Sequence, residues 1–374
     1  MKIKAAVLHQ MGLARPYSQS RPLVIEELDL DGPGEGEVLV QIKAAGLCHS
    51  DLSVMDGARP RPTPMALGHE AAGIVADVGK GVDDLRKGDH VVMVFVPSCG
   101  HCLPCAEGRP ALCEPAAKVN GEGVLLSGQR RLKLNGEPVN HHMGVSAFAE
   151  YAVMSRRSLV KVDPDLPLEQ AALFGCAVLT GVGAALNTAG VTPGSKVAVI
   201  GLGGVGFNAL LGSVLVGADQ VVALDLVASK LDLARQLGAT DAFLANQEDI
   251  VEAVKEATGG GVDFALEMAG SVPALELAYK ITRRGGTTVT AGLAHPSKMM
   301  QLQQVSLVGE ERTLKGSYIG SCVPVRDIPR YIGLFRKGRL PIDRLMSEKV
   351  GFNELNGAFD RLAEGATVRQ LLIP

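Results

Sequence analysis

Hydrophobic and polar positions follow two different rhythms along the chain. Between residues 37 and 96, short apolar or alternating runs lie between turn residues, as in EVLVQIKAAG, AAGIVADVG and DHVVMVFV. Such runs are typical of β-strands. From about residue 194, apolar strands alternate with helical patterns, as in KVAVIG, QVVALD and VDFALEMAG, which precede GGVGFNALLGSVLVGA, ASKLDLARQLGA and PALELAYKITRRGG. Repeated strand-helix units predict an α/β fold with a parallel sheet covered by helices on both faces.

Composition narrows the classes of partner. The chain has 374 residues, 47% of them hydrophobic, which at roughly 150 residues per domain predicts two or three domains. Its 37 Lys and Arg against 40 Asp and Glu give a formal charge of -3. Since no strong positive field exists to attract nucleic acid or an anionic membrane, we expect a small molecule as the partner.

The apolar stretches do not predict a membrane protein. The first residues, MKIKAAVLHQ, lack the apolar run of a secretory signal. Two uncharged stretches, 171–195 and 197–218, are long enough to raise the question of a membrane span, but glycines and a proline interrupt them. We therefore expect a cytoplasmic protein.

A glycine-rich loop follows one of the apolar strands. The run VAVIGLGGVG fits the G-x-G-x-x-G pattern between a strand and a helix, and this context favours a dinucleotide site. Gly201 permits the tight turn, Gly203 lets the backbone approach a pyrophosphate, and Gly206 permits close packing of helix and strand. Asp225 ends the next strand, where a carboxylate binds ribose hydroxyls and repels a 2′-phosphate, so NAD is expected.

Four of the seven cysteines, Cys99, Cys102, Cys105 and Cys113, lie within fifteen residues. Disulfides are rare in the expected compartment. Four thiolates at this spacing can surround one tetrahedral zinc ion as a closed structural site. An iron–sulfur cluster is the alternative, because C-x-x-C spacing also suits it.

Three other side chains could form a second metal site. Cys48 lies in GLCHSD, His69 in LGHEAAG and Cys176 in FGCAVLTG. Two thiolates and an imidazole with an open fourth position are typical of a catalytic zinc. Spacing alone leaves the alternatives open that the cysteines are core residues and that the histidine is a turn residue. Cys322 has no assigned role and is expected in the core.

Taken together, these motifs resemble those of the zinc-dependent alcohol dehydrogenases of the medium-chain dehydrogenase/reductase superfamily. The string GHEAAGIVADVG from Gly68, the four-cysteine segment, and GLGGVG with Asp225 carry the resemblance, which covers nearly the whole chain. The segment from Gly128 to Tyr151 resembles the longer liver-type and formaldehyde-dehydrogenase-type branches.

The resemblance implies a domain organisation and an assembly. It implies a GroES-like catalytic domain at 1–178 with a structural-zinc lobe at 97–115, and a Rossmann cofactor domain at 179–320. Residues 321–374 are expected to return to the catalytic domain. The resemblance also implies two zinc ions and NAD per chain, and a homodimer that pairs through the cofactor domains.

The resemblance also implies residue roles. Cys48, His69 and Cys176 would bind the catalytic zinc, Glu70 would lie near it, Asp51 would hold the other nitrogen of His69, and Ser50 would hydrogen-bond the alcohol oxygen. Conversion of alcohol to aldehyde would then pass a hydride to the nicotinamide. The residues implied to contact the cofactor are His49, Thr180, Gly201, Gly203, Gly204, Val205, Gly206, Asp225, Lys230 and Arg369.

The chain departs from this pattern near the substrate. Ser53 stands where many liver-type members have a histidine that passes the proton to solvent. Phe95 is expected as one wall of the substrate pocket, with His142, at a position that often holds a second Phe, beside Met143. Arg59, with Arg61 nearby, suggests an alcohol or aldehyde that carries a carboxylate or another polar group. An arginine pointing to solvent is the alternative.

The competing functions are a polyol or threonine dehydrogenase of the same superfamily, a metal-free quinone reductase, and a non-catalytic NAD-binding protein. The long segment after the four cysteines disfavours the first alternative. The four-cysteine lobe and the Cys48, His69 and Cys176 set disfavour the second, and the same set with Ser50 disfavours the third. We therefore expect an NAD-dependent alcohol dehydrogenase acting on a primary, aromatic or carboxylate-bearing alcohol.

Overall fold

A computed structural model describes all 374 residues and divides them into two compact units. The first unit comprises Met1–Cys176, Val323–Arg330 and Met346–Pro374, and the second comprises Ala177–Cys322 and Tyr331–Leu345. The C-terminal part therefore differs from the expected return at 321–374, because residues 331–345 pack with the second unit. Apolar residues Ile332 and Leu340 of this segment are buried there.

The two units together contain 18 β-strands. In chain order they are β1 Lys2–Leu8, β2 Leu23–Leu30, β3 Glu37–Gly46, β4 Met65–Ala66, β5 Ala71–Val78, β6 His90–Met93, β7 Leu132–Leu134, β8 Glu137–His141, β9 Tyr151–Ser155, β10 Leu159–Val162, β11 Lys196–Ile200, β12 Gln220–Asp225, β13 Asp241–Leu244, β14 Val262–Glu267, β15 Thr282–Thr290, β16 Thr313–Gly316, β17 Met346–Val350 and β18 Arg369–Leu372.

The chain contains 13 α-helices. They are α1 Tyr17–Ser20, α2 His49–Met55, α3 Leu103–Ala106, α4 Glu114–Glu122, α5 Leu168–Ala172, α6 Ala177–Gly183, α7 Gly204–Leu215, α8 Ala228–Gln236, α9 Ile250–Thr258, α10 Val272–Ile281, α11 Gln304–Gly309, α12 Pro324–Arg336 and α13 Leu355–Ala363. Single turns of 3₁₀-helix occur at Pro110–Leu112, Arg156–Ser158, Leu173–Gly175, Ile319–Ser321, Ile342–Leu345 and Phe352–Glu354, and a π-helix at Ala184–Ala189.

The first unit contains two β structures. One is a closed barrel in the order β1-β2-β7-β8-β4, and the other is a sheet in the order β10-β6-β5-β3-β18-β17, with β9 also paired to β3. The apolar face of the barrel strands packs into a core that includes Val7, Leu28, Leu30, Val139 and Val153. The C-terminal strand β18 pairs with the end of β3, so residues far apart in sequence meet at the site described below.

The second unit contains one parallel sheet in the order β13-β12-β11-β14-β15-β16. Numbered within the unit, this is the strand order 3-2-1-4-5-6 of a doubly wound dinucleotide-binding fold. The order reverses between β11 and β14, where ligands bind in such folds. The expected fold class is confirmed.

One helix boundary differs from the sequence pattern. The run PALELAYKITRRGG suggests a continuous helix, but α10 ends at Ile281 and Thr282 begins β15. Thr282 pairs with Val262 of the neighbouring strand β14, and Arg283 forms an ion pair with Asp263 on the same strand. These contacts turn the chain into the sheet although its periodicity up to residue 281 is helical.

No single helix is both long and apolar enough to cross a membrane. One bent pair of consecutive helices, Leu168–Gly175 and Ala177–Ala189, satisfies that test by length and composition alone.

Candidate metal centre and cofactor loop

Three side chains from distant segments of the first unit converge. Cys48 lies at the junction of β3 and α2, His69 lies between β4 and β5, and Cys176 follows the turn Leu173–Gly175. Their ligand atoms, with a carboxylate oxygen of Glu70, all lie within 4.8 Å of one another, and all four side chains are buried. The structure therefore brings together the three residues expected to bind a catalytic metal.

The orientation of His69 leaves one ring nitrogen for a metal. Its Nδ1 atom lies 3.0 Å from Asp51 Oδ1, and its Nε2 atom is buried without a hydrogen bond. Burial opposes ionisation of Asp51, but the charge of His69 and contacts with His142 and His69 outweigh it and lower the pKa of Asp51. An ionised carboxylate on Nδ1 fixes the tautomer in which Nε2 can bind a metal.

The two thiols do not ionise alike in the absence of a cation. The Cys176 thiol lowers the pKa of Cys48 through a hydrogen bond, against the effect of burial, and the same bond and burial raise the pKa of Cys176. A divalent cation bound to both sulfur atoms would allow both thiols to ionise, because zinc binds thiolates. Two sulfur atoms and one unpartnered imidazole nitrogen, all within 4.8 Å of one another, are a donor set that fits a tetrahedral zinc ion.

Glu70 and Arg369 form a buried ion pair beside these ligands. An Arg369 Nη atom donates to Glu70 Oε1, while Oε2 has no hydrogen bond. Burial raises the pKa of Glu70 to about 6 although Arg369 opposes this shift. Arg369 is only 4% exposed. Its guanidinium thus lies against Glu70, and contact with a pyrophosphate stays a prediction.

The four cysteines of the predicted lobe also converge. The ligand atoms of Cys99, Cys102, Cys105 and Cys113 lie within 4.8 Å of one another, and none of the seven cysteines is in a disulfide. A hydrogen bond from the backbone of His101 lowers the pKa of Cys99 to about 6, whereas burial raises the pKa of Cys105 to about 12. Four sulfur donors in this arrangement fit a closed zinc site.

The residues expected near the substrate do not all lie as expected. Phe95 is buried, and its ring meets that of His69 edge to face with centroids 5.3 Å apart. Met143 and Arg59 are partly exposed. His142, expected on the pocket wall, has no exposed surface and lies beside Asp51, with Nδ1 3.2 Å from Oδ1. An imidazole can interact with a buried carboxylate, which a phenyl ring cannot do, and this explains the difference.

Helix α2 also carries the residues of the expected proton path. Ser50 is partly exposed on its first turn, and His49 beside it is exposed. The Ser53 hydroxyl donates to the carbonyl of His49 at 2.8 Å, within the helix itself. The Ser53 hydroxyl hydrogen is therefore used within the helix.

In the second unit, the glycine loop has the tight packing that its motif predicts. A Cβ atom on Gly206 would lie 1.7 Å from the carbonyl oxygen of Gly201, so only glycine fits there. Gly201 has φ +90°. A Cβ atom on Gly203 would have no other atom within 4 Å, so the space beside this residue is open. This open backbone at the start of α7 fits a phosphate group.

Asp225 supports the loop from the neighbouring strand. Its Oδ2 accepts a hydrogen bond from the N–H of Leu202 at 2.6 Å, and its Oδ1 accepts one from Val227 at 2.9 Å. Lys230 follows on α8 and is partly exposed, and Thr180 is buried on α6. Gly204 and Val205 form the first residues of α7.

Comparison with known proteins gives one consistent result. Residues 34–164 match the family described as alcohol dehydrogenase GroES-like domain, and residues 204–337 match the family described as zinc-binding dehydrogenase. The chain is 40% identical to the NDMA-dependent alcohol dehydrogenase of Amycolatopsis methanolica over an alignment of 376 residues, which covers 100% of this chain and 99% of the relative.

Two further similarities extend this result. The chain is 35% identical to the S-(hydroxymethyl)glutathione dehydrogenase of Synechocystis sp. over 376 residues, and the match covers 100% of both chains. The crystal structure of benzyl alcohol dehydrogenase from Acinetobacter calcoaceticus superposes with a TM-score of 0.93 at 35% identity and covers 100% of this chain and 99% of that one.

The glycine loop yields a prediction with an internal control. Gly206→Ala should lower the melting temperature by several degrees even without cofactor, because its methyl group meets the Gly201 oxygen. Gly203→Ala, which has open space, should leave the melting temperature unchanged but weaken NADH binding at least about tenfold. Thermal unfolding and NADH fluorescence titration measure both. Equal melting temperatures of Gly206→Ala and the wild type would contradict the packing.

Proposed function

Because the chain belongs to the alcohol dehydrogenase family of zinc-binding dehydrogenases, we propose that it transfers hydride between a primary alcohol and NAD at a zinc ion held by Cys48, His69 and Cys176. The observation that carries this proposal is the buried set of two thiols and one unpartnered imidazole nitrogen within 4.8 Å of one another. A second zinc would occupy the four cysteines of the lobe.

Each neighbouring residue has a task in this reaction. A zinc ion supplies the Lewis acidity that favours loss of the alcohol proton and polarises a carbonyl oxygen. Asp51 holds His69 in the tautomer that leaves Nε2 available, and Phe95 covers the His69 ring and excludes water on that side. Ser50 Oγ would accept the alcohol proton while its own hydroxyl proton passes to solvent, since Ser50 is partly exposed and Ser53 is bonded to its own helix.

The choice of NAD is supported by Asp225 and by the open backbone at Gly203. A carboxylate at the end of the second strand accepts hydrogen bonds from ribose hydroxyls and repels a 2′-phosphate. The relative named as NDMA-dependent makes a different electron acceptor the second candidate. The assay therefore needs two arms, one with added NAD and one with NDMA alone.

Metal content and turnover test the proposal together. The wild type should hold two zinc ions per chain and form NADH, detected at 340 nm, from primary alcohols such as benzyl alcohol. Cys176→Ser should lose one zinc and turnover, Cys102→Ser should lose the other zinc, and Cys322→Ser, at a buried cysteine outside both sets, should keep both.

The outcomes separate the competing functions. One zinc in the wild type, without turnover of any alcohol or aldehyde, would favour a non-catalytic NAD-binding protein. Turnover with NDMA alone that does not respond to added NAD would mean that freely exchanging NAD is not the electron acceptor.

Substrate charge can be tested at Arg59, which lies in the loop after α2 and whose backbone N–H donates to Ser53. Arg59→Leu should raise the KM of a carboxylate-bearing benzyl alcohol about tenfold and leave the KM of benzyl alcohol unchanged, since one partly screened ion pair is lost. Arg61→Leu is the matched comparison. Equal changes for both alcohols, or a charge effect at Arg61 alone, would contradict the role of Arg59.

We also propose a homodimer that pairs through the second unit. Strand β16 is the edge of the parallel sheet, and an exposed unpaired edge is a template for strand pairing. Exposed apolar side chains lie close to it in sequence, at Leu293, Met299, Leu302, Val305 and Val308. Such apolar surface on one segment is typical of an interface, and a second copy of the chain offers the same edge.

The dimer yields its own prediction. Light scattering of the wild type should give the mass of two chains, and the double variant Val305→Asp and Val308→Asp should give the mass of one. Val325→Asp is the control, because Val325 is 65% exposed, like Val305 at 64% and Val308 at 66%, but belongs to the first unit. A dimer that survives the double substitution would contradict this interface.

A further inference from the structure

His142 lies against the carboxylate that orients the metal-binding histidine. Its Nδ1 atom is 3.2 Å from Asp51 Oδ1, the same oxygen that lies 3.0 Å from His69 Nδ1. The three side chains have no exposed surface, and the two imidazole rings meet edge to face with centroids 5.6 Å apart. The His142 contact is off-axis, whereas that of His69 is an aligned hydrogen bond.

A buried carboxylate needs all these partners. The N–H of Gly68 donates to Asp51 Oδ1 at 3.2 Å, and the N–H of Cys48 donates to Oδ2 at 3.3 Å. Burial of a charge is costly unless hydrogen bonds replace the lost water. His142 adds a further polar contact on the side where His69 also binds, so the carboxylate cannot rotate away without losing both imidazoles.

The backbone of His142 is itself fixed. Its N–H donates to the Ser146 hydroxyl at 2.9 Å, and its carbonyl accepts from the N–H of Val145 at 3.0 Å. This turn holds the ring in one place relative to Asp51. The fixed nitrogen is therefore Nδ1, 3.2 Å from Asp51 Oδ1, and an imidazole N–H at that position can donate to the carboxylate.

We propose that His142 is a positioning residue, which contacts Asp51 alongside His69 and holds that carboxylate where His69 presents Nε2 to a metal. This inference rests on the proposed zinc site. Its consequence is that His142 controls how firmly the zinc is held, although it does not touch the zinc ligand atoms. Changes to the hydrogen-bonding partners of metal ligands typically weaken metal affinity by about 10 to 100-fold.

The alternative role for His142 is a wall of the substrate pocket, and two variants separate the roles. His142→Phe keeps an aromatic ring but removes the nitrogen that faces Asp51. His142→Asn is smaller but places an amide nitrogen at the position of Nδ1, the same number of bonds from the backbone. If His142 positions Asp51, the effect of a substitution depends on whether the nitrogen is kept. If His142 is a pocket wall, the effect depends on the size of the new side chain.

The experiment measures zinc release to a chelator in full-length wild type and both variants. The zinc held by the four cysteines is an internal control in each protein. It is identified as the single zinc that Cys176→Ser retains. A variant that keeps this zinc is folded. We expect His142→Phe to release the other zinc at least about tenfold faster and His142→Asn to release it within about threefold of the wild-type rate. The visible spectrum of the cobalt-substituted protein should change in His142→Phe alone.

Other results would overturn the inference. Wild-type zinc release from His142→Phe, with KM changes that follow alcohol size in both variants, would make His142 a pocket wall. A third bound metal that disappears in His142→Phe would make it a ligand. Absence of the second zinc in the wild type would refute the proposed function as well, and this is measured before any variant is made.

Discussion

The buried carboxylate of Asp51 connects the segments that carry Cys48 and His69, two of the three proposed metal ligands. It accepts hydrogen bonds from the backbone of Cys48 and Gly68 and from the ring of His69. These groups come from the start of α2 and from the loop before β5. Because a charge without exposed surface depends on these donors, the carboxylate ties the position of one thiol to that of the imidazole. The proposed metal site is in this sense built around a carboxylate that is not one of its proposed ligands.

The second unit depends on a steric constraint instead. The close approach of Gly206 to the Gly201 carbonyl lets α7 begin directly behind β11, and Asp225 holds the intervening loop through the N–H of Leu202. Since β11 lies at the point where the strand order reverses, the helix N-terminus opens into the crevice where a dinucleotide binds in this fold. The loop is thus held in this conformation by contacts within the second unit.

Much of this could be predicted from the sequence, because the relevant features are local. A glycine pattern between a strand and a helix, or four cysteines within fifteen residues, determines what short segments can do. The convergence of Cys48, His69 and Cys176 is not local, and only the resemblance to a family indicated it. The ion pair of Glu70 with Arg369 depends on the pairing of β18 with β3.

Two differences show where such reasoning ends. The position of His142 depends on the path of the chain through β8 and the following turn, which no sequence pattern describes, so a residue expected on a pocket wall lies on Asp51 instead. Likewise, α10 ends at Ile281 because Thr282 and Arg283 pair with Val262 and Asp263 of β14, although the periodicity before them is helical. Tertiary contacts decide in both cases.

Charge balance explains why the buried site has this composition. Arg369 neutralises Glu70, so this pair adds no net charge to the interior. The two thiolates of Cys48 and Cys176 would leave two uncompensated negative charges, and their opposite pKa shifts show that both do not ionise without a cation. A divalent ion would balance the charges of the two thiolates, whereas a monovalent ion would balance only one of them. The residues present thus favour a divalent, sulfur-binding metal on electrostatic grounds as well as by their geometry.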